Sequence, residues 1–147
     1  MTSPAKYNKN TFFLAHDAIL LSVQNIQSRS RVFPEARKYL PELVGALDVH
    51  WGGQSGAFYP ALEDFFLADR EAAAKIAYFR EDLKEVKVSY LSFQEKYITG
   101  CPRPLDVRRF PIESSQFFEL IRARINAEEE YLLPLLDIYA GQPSSLG

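Results

Sequence analysis

Apolar residues recur every three or four positions along four stretches of this chain, the period of a helix with one buried face. Phe12, Phe13, Ile19, Leu20, Val23 and Ile26 mark the first, predicted over about Asn10 to Ser28, and His16 falls inside this stripe. The second runs from about Ala36 to Leu67 through Tyr39, Leu43, Leu47, His50, Gln54, Phe58, Leu62 and Phe65. Ile76, Phe79, Leu83, Val86, Tyr90, Phe93 and Tyr97 carry the third, over Arg70 to Tyr97. Phe117, Leu120, Ile121, Arg124, Glu128, Leu132 and Leu135 carry the fourth, which starts near Glu113 to Ser115 and reaches Tyr139. No sustained period-two alternation competes as a strand. The pattern predicts an all-α chain, an up-down-up-down four-helix bundle over about residues 9–139 in a single domain spanning 1–147.

Glycine and proline punctuate these stretches. Arg29 to Glu35, with Pro34, reads as a connection. Gly52, Gly53 and Gly56 weaken the second helix by about 1 kcal/mol each relative to Ala, and Pro60 removes one backbone bond and is expected to bend it. Gly100, Pro102, Pro104 and Pro111 make Thr99 to Pro111 a predicted loop with Arg103, Arg108 and Arg109 exposed. Ser114 or Ser115 is the expected N-cap of the fourth helix. Gly141 is its expected stop, and residues 141–147, with Pro143, Ser144 and Ser145, are expected to form a flexible tail.

Two segments repeat. His50, Gln54 and Pro60 return 74 positions later as Arg124, Glu128 and Pro134. Each copy sets a polar or ionisable residue, a second one four residues on, and then an apolar run containing the proline. A spacing of four puts both polar residues on one helix face, which is how a helix offers two ligands to a metal inside a bundle. The first copy reads His/Gln and the second Arg/Glu.

Composition narrows the alternatives. The 147 residues are 47% hydrophobic and 24% charged, an ordinary globular balance able to bury a real core. A net charge of −2 argues against nucleic acid and anionic membrane surfaces as partners. The 14% aromatic content serves either a dense core or a dimer face. Cys101 is the single cysteine, so no internal disulfide forms and a reducing compartment fits. No apolar run approaches the ~20 residues of a membrane span, and Met1 to Lys6 lacks the apolar core of a signal peptide, so the expected location is cytoplasmic. Cys101, in its Pro/Arg loop, reads as an incidental surface thiol.

At His16, His50 and Tyr59-Pro60-Ala61-Leu62 the chain resembles the hemerythrin-like, HHE cation-binding family, over roughly residues 9–139. The resemblance implies a four-helix bundle holding two irons that act on dioxygen or in redox and iron sensing. It implies one His from the first helix, matched by His16 in Leu14-Ala15-His16-Asp17-Ala18-Ile19-Leu20, and a His-x-x-x-Glu pair from the second, matched by His50 but with Gln54 in the carboxylate position. The third helix should give one or two His. It has none; Arg80 aligns best and Tyr90 second. The fourth should give His-x-x-x-Glu or -Asp; Arg124 stands at the His position and Glu128 keeps the carboxylate.

Two His in the whole chain are too few for a di-iron centre, which takes about five or six His and carboxylate ligands. Two outcomes follow. In one, Arg124 replaces the metal and pairs with Glu128, since either charge alone in a core would be costly. Gln54 then avoids a second buried carboxylate, His16 and His50 are neutral core residues, and there is no cofactor. In the other, His16, His50 and Glu128, with Gln54 as a weak fourth ligand, hold one iron or other divalent metal; here the Arg124 charge opposes the cation. Bland readings stand beside both: core histidines, an exposed Arg124–Glu128 pair, a solvated Glu128-Glu129-Glu130 face with only Glu128 phased inward, and core packing for the third-helix aromatics. The functions expected are a metal-free bundle acting in binding, interaction or regulation, or a mononuclear protein sensing iron or oxygen. No nucleophile–base–orienter set marks an enzyme. A protein partner or a homodimer is the expected contact.

Overall fold

The computed structural model describes residues 8–141, which contain helices and no strand; the tail expected at 142–147 lies outside the described residues. The helices group into four arms, consistent with a helical bundle. The first arm is α1, Lys9–Gln27. The second is built of α2 (Phe33–Arg37), α3 (Leu40–Gly53) and α4 (Phe58–Phe65). The third is α5, Arg70–Gln94, and the fourth joins α6 (Pro104–Ala127) to α7 (Leu133–Ala140). α1 packs against α3, α6 and α7, and α5 against α4 and α6. None of these helices is long and apolar enough to cross a membrane.

Local chemistry explains most boundaries. Asn8 caps α1, its side chain accepting the Thr11 N–H at 3.0 Å, and Asp69 caps α5 by accepting from Ala72 at 3.1 Å. α1 buries Phe12, His16, Ile19, Val23 and Ile26. Phe13, one residue from Phe12 and so about 100° round the helix, is 41% exposed rather than in the stripe.

The proline and glycine readings need four corrections. Pro34 does not merely interrupt; it sits in the first turn of α2. The second arm is not one helix over 36–67, and Pro60 is not its bend. The break is at Gln54 to Ala57, where Gly56 takes φ +65°, while Pro60 lies in the first turn of α4, where a missing N–H costs little. The loop expected over Thr99 to Pro111 is only Gly100 to Arg103, since Pro104 opens α6 and Pro111 lies inside it. The cap is therefore not a serine at 114 or 115. Asp106 accepts the Arg103 N–H at 2.9 Å, and Ser114 is buried mid-helix, its hydroxyl on the Pro111 carbonyl at 3.4 Å. Arg103, Arg108 and Arg109 are exposed, as is Cys101. The helix stops before Gly141 as expected, though without a left-handed residue, at φ −81°.

The core is aromatic. Phe33, Phe93, Tyr97 and Phe110 interlock at one end, with ring centroids 5.0–6.1 Å apart. The Tyr97 hydroxyl bonds both Glu113 and the Asp106 carbonyl, and Lys96 pairs with Glu113 at 3.0 Å, clamping to α6 the π-helical turn Glu95–Thr99 that follows α5.

Candidate metal centre

The two copies of the sequence repeat become two halves of one polar site. In each, a helix ends at the second polar residue: Gln54 caps α3 and Glu128 caps α6. A short helix with a proline in its first turn follows, α4 with Pro60 and α7 with Pro134. The Gly56 turn re-phases the first copy. A π-helical turn, Glu128–Leu132, re-phases the second, a wide geometry that inserts one residue into the helix. Gln54 and Glu128 then meet, Gln54 Nε2 donating to Glu128 Oε2 at 2.9 Å.

Three buried atoms converge on the other side of that carboxylate. His16 Nε2 lies 2.7 Å and His50 Nε2 2.8 Å from Glu128 Oε1, and the two nitrogens are 3.2 Å apart. His16 and Glu128 are fully buried and His50 nearly so. Phe12 packs edge-on against both imidazoles, its centroid 5.8 Å from His16 and 5.0 Å from His50. At the far edge of its ring, His16 Nδ1 meets Glu129 Oε2 at 2.8 Å, so Nδ1 carries a proton and Nε2 is turned inward.

Arg124 occupies the opposite face. A guanidinium has five N–H donors, and all five are used: Nε to Glu128 Oε2 (2.8 Å), Nη1 to the Phe79 carbonyl (3.0 Å) and Asp82 Oδ2 (2.9 Å), Nη2 to Gln54 Oε1 (2.9 Å) and the Tyr59 hydroxyl (2.9 Å). The Tyr59 hydroxyl itself donates to Gln54 Oε1 at 2.7 Å, and the guanidinium lies over the Phe79 ring, 4.9 Å from its centroid. The pair with Glu128 is thus buried rather than an exposed surface bridge. Glu128 divides its two oxygens, Oε1 for the histidines and Oε2 for the arginine.

The electrostatics follow from burial and partners. Burial alone would raise the Glu128 carboxyl, but hydrogen bonds from His16 and His50 and the Arg124 charge override it and hold the group far below the carboxylate range. Burial would lower His16, yet Glu128 and Glu129 raise it above its usual value. Arg124 is likewise pulled down by desolvation and raised, on balance, by Glu128. Burial drives the Tyr59 hydroxyl strongly upward, keeping it a neutral donor. Outside the site, the Arg103 backbone N–H and side chain lower Asp106, and the Tyr97 hydroxyl and Lys96 lower Glu113.

These three depressed carboxyls set an acid limit. A group lowered on folding contributes stability above its unfolded value and loses it as pH falls toward its folded value. The contribution of the three carboxyls is therefore expected to be full above the ordinary glutamate value of 4.5 and to decline below it. The raised His16 contributes in the opposite sense, fully below its ordinary value of 6.5 and less as pH rises past it. Denaturant midpoints measured between pH 3 and 6 on metal-free protein test this; midpoints that do not fall below pH 4.5 would count against the assignment.

Of the residues singled out from sequence, His16, His50, Gln54, Arg124 and Glu128 all come together. The third-helix candidates do not join them. Arg80 is exposed and paired with Glu63 at 2.6 Å, and the Tyr90 hydroxyl donates to Asp48 at 2.9 Å beside Trp51. That helix contributes the Phe79 carbonyl and Asp82 instead. Sequence reasoning also missed Tyr59, visible only as part of the Tyr-Pro-Ala-Leu run, and Glu129, which regular helical phasing turns away from Glu128.

A cavity of about 210 Å3 between Thr11, Phe12 and Ala15 of α1 and Val49, His50 and Gly53 of α3 reaches the site from solvent. A larger groove, about 470 Å3 along α5 and α6, lies elsewhere. Comparison with known proteins gives no match: no family model, no curated protein and no solved structure is significantly similar to the chain.

Proposed function

We propose that this chain is a hemerythrin-like bundle, up-down-up-down, reduced to one divalent-cation site formed by His16, His50 and Glu128, with Arg124 in the place of a second cation. The observation that carries the reading is the triangle of 2.7, 2.8 and 3.2 Å among two imidazole nitrogens and one carboxylate oxygen. Adjacent ligands bound at about 2.1 Å and at right angles are separated by about 3.0 Å, so the triangle has the dimensions of one face of a coordination sphere. Two His and one carboxylate suit iron(II), with manganese or zinc also accommodated.

Charge supports the same reading. With neutral imidazoles the network holds three carboxylates, Glu128 and Asp82 on Arg124 and Glu129 on His16, against one guanidinium, a balance that one divalent ion would complete. A pair of irons does not fit these residues: the chain has two His, and the five donors of Arg124 fill the second position. A bound ion would supply a Lewis acid with open coordination positions. The protein would orient His16 through Glu129, hold Glu128 through Arg124 and Gln54, and brace both imidazoles against Phe12. The role that follows is binding or sensing of iron or of a small ligand at the ion, rather than catalysis.

One observation favours a second reading. Glu128 accepts from four donors, His16, His50, Gln54 and Arg124, enough to satisfy a carboxylate without a metal. In that case His16 is an imidazolium between Glu128 and Glu129, and the bundle is a metal-free module for a protein partner or a second copy of itself. Elemental analysis of protein purified without chelators separates the two. Near-stoichiometric metal, lost on His50→Ala, is expected. Metal content unchanged in that variant removes the first reading, and metal-free protein that takes up no added iron(II), manganese or zinc leaves the second.

A further inference from the structure

A cleft of about 180 Å3 opens where the Gln54 to Ala57 turn and the start of α4 face α5. One wall is cationic. Arg80, Lys84 and Lys87, spaced by four and then three, lie on the same face of α5, and no Asp or Glu lines the cleft. In a chain of net charge −2 this concentration is local.

The cations are available to a ligand. Arg80 and Lys84 pair with Glu63 (2.6 Å) and Glu81 (2.9 Å), but both carboxylates lie outside the cleft and the pairs are of the exposed, screened kind that exchange easily. Lys87 makes no ion pair among the described residues; its ammonium donates to the Ser55 hydroxyl at 2.8 Å, which leaves two of three donors unused. The facing wall carries Ser55 and Gly56, and a Cβ placed on Gly56 would meet nothing within 4 Å, so the approach to the turn is open.

We infer that this cleft binds a small tetrahedral oxyanion of phosphate type, gripped by Lys84 and Lys87, by Arg80 released from Glu63, and by the Ser55 hydroxyl once it turns from the Trp51 carbonyl, to which it donates at 3.2 Å. Its size admits one such group and not a nucleotide. The floor is Gln54 and Tyr59, both hydrogen-bonded to Arg124. An occupant is therefore one link from the polar site, and by reciprocity each site would sense the other. The residues that grip the anion, Arg80, Lys84, Lys87 and Ser55, are not among the candidate metal ligands, so the inference does not depend on a cation being bound.

The test is a titration of the full chain with inorganic phosphate at constant ionic strength, with chloride as control and EDTA present so that no metal bridges the anion. Amide NMR shifts of Ser55, Gly56, Lys84 and Lys87 are the readout. Saturable shifts confined to these residues and their neighbours are expected, weakened roughly tenfold or more in the Lys84→Gln/Lys87→Gln double variant. Ser55→Ala should weaken binding less. Shifts that stay linear with phosphate, match those of chloride, or saturate equally in the double variant overturn the inference. Retention of the response in His50→Ala separates it from the fate of the metal reading.

Discussion

Replacing Arg124 with methionine is expected to destabilise the fold by about 3–5 kcal/mol, lowering the melting temperature by roughly 6–20 °C for a domain of this size. The side chain is buried and bonds five other residues: Glu128 on its own arm, Gln54 and Tyr59 on the second, Phe79 and Asp82 on the third. Methionine fills much of the volume but leaves the Gln54 and Glu128 oxygens and the Phe79 carbonyl short of donors in a core, each a desolvated acceptor. Removing the partner charge as well should recover part of the loss, because Glu128→Gln in the same background no longer strands a carboxylate. Denaturant unfolding of the two singles and the double closes a mutant cycle. A cost below about 1 kcal/mol for Arg124→Met would mean the network is slack.

For the cation site proposed above, Glu128→Gln alone is expected to abolish metal uptake, with affinity falling by more than about a hundredfold, since loss of an outer partner alone costs about 10–100-fold. Glu128 is the one carboxylate among the three converging side chains. An amide oxygen cannot supply its charge, and the Arg124 guanidinium would then face the ion without a carboxylate between them. The contrast is with Glu129→Gln, which removes only the hydrogen bond to His16 Nδ1 and should weaken the ion by the smaller outer-shell factor. Equal losses from both variants, followed by metal titration, would show that the 128 carboxylate is not a ligand.

Much of this site was legible from residue spacing. A separation of four put His50 with Gln54 and Arg124 with Glu128 on single faces, and the 74-residue repeat announced that these faces belong together. The pairing of His with Gln in one copy and Arg with Glu in the other foretold a compensated charge. The bundle arms were legible too, because a 3.6-residue period in apolar residues survives interruptions. The ends of the arms were not. Pro60 read as a bend and Pro104 as part of a loop, yet each, like Pro134, sits in the first turn of a helix, where proline lacks a bond the helix does not make.

By itself the sequence determined the helical class and the inward phasing of His16, His50, Arg124 and Glu128, and its two His set the expectation of too few ligands for a pair of irons. Only the tertiary structure decided which atoms meet. It assigned Glu128 Oε1 to the histidines and Oε2 to the arginine, brought Asp82 and the Phe79 carbonyl to Arg124, and through the Glu128–Leu132 π-turn swung Glu129 onto His16. Periodicity reports the face of a regular helix, whereas a one-residue π insertion and the division of a carboxylate between two sides depend on what the neighbouring arms present to it.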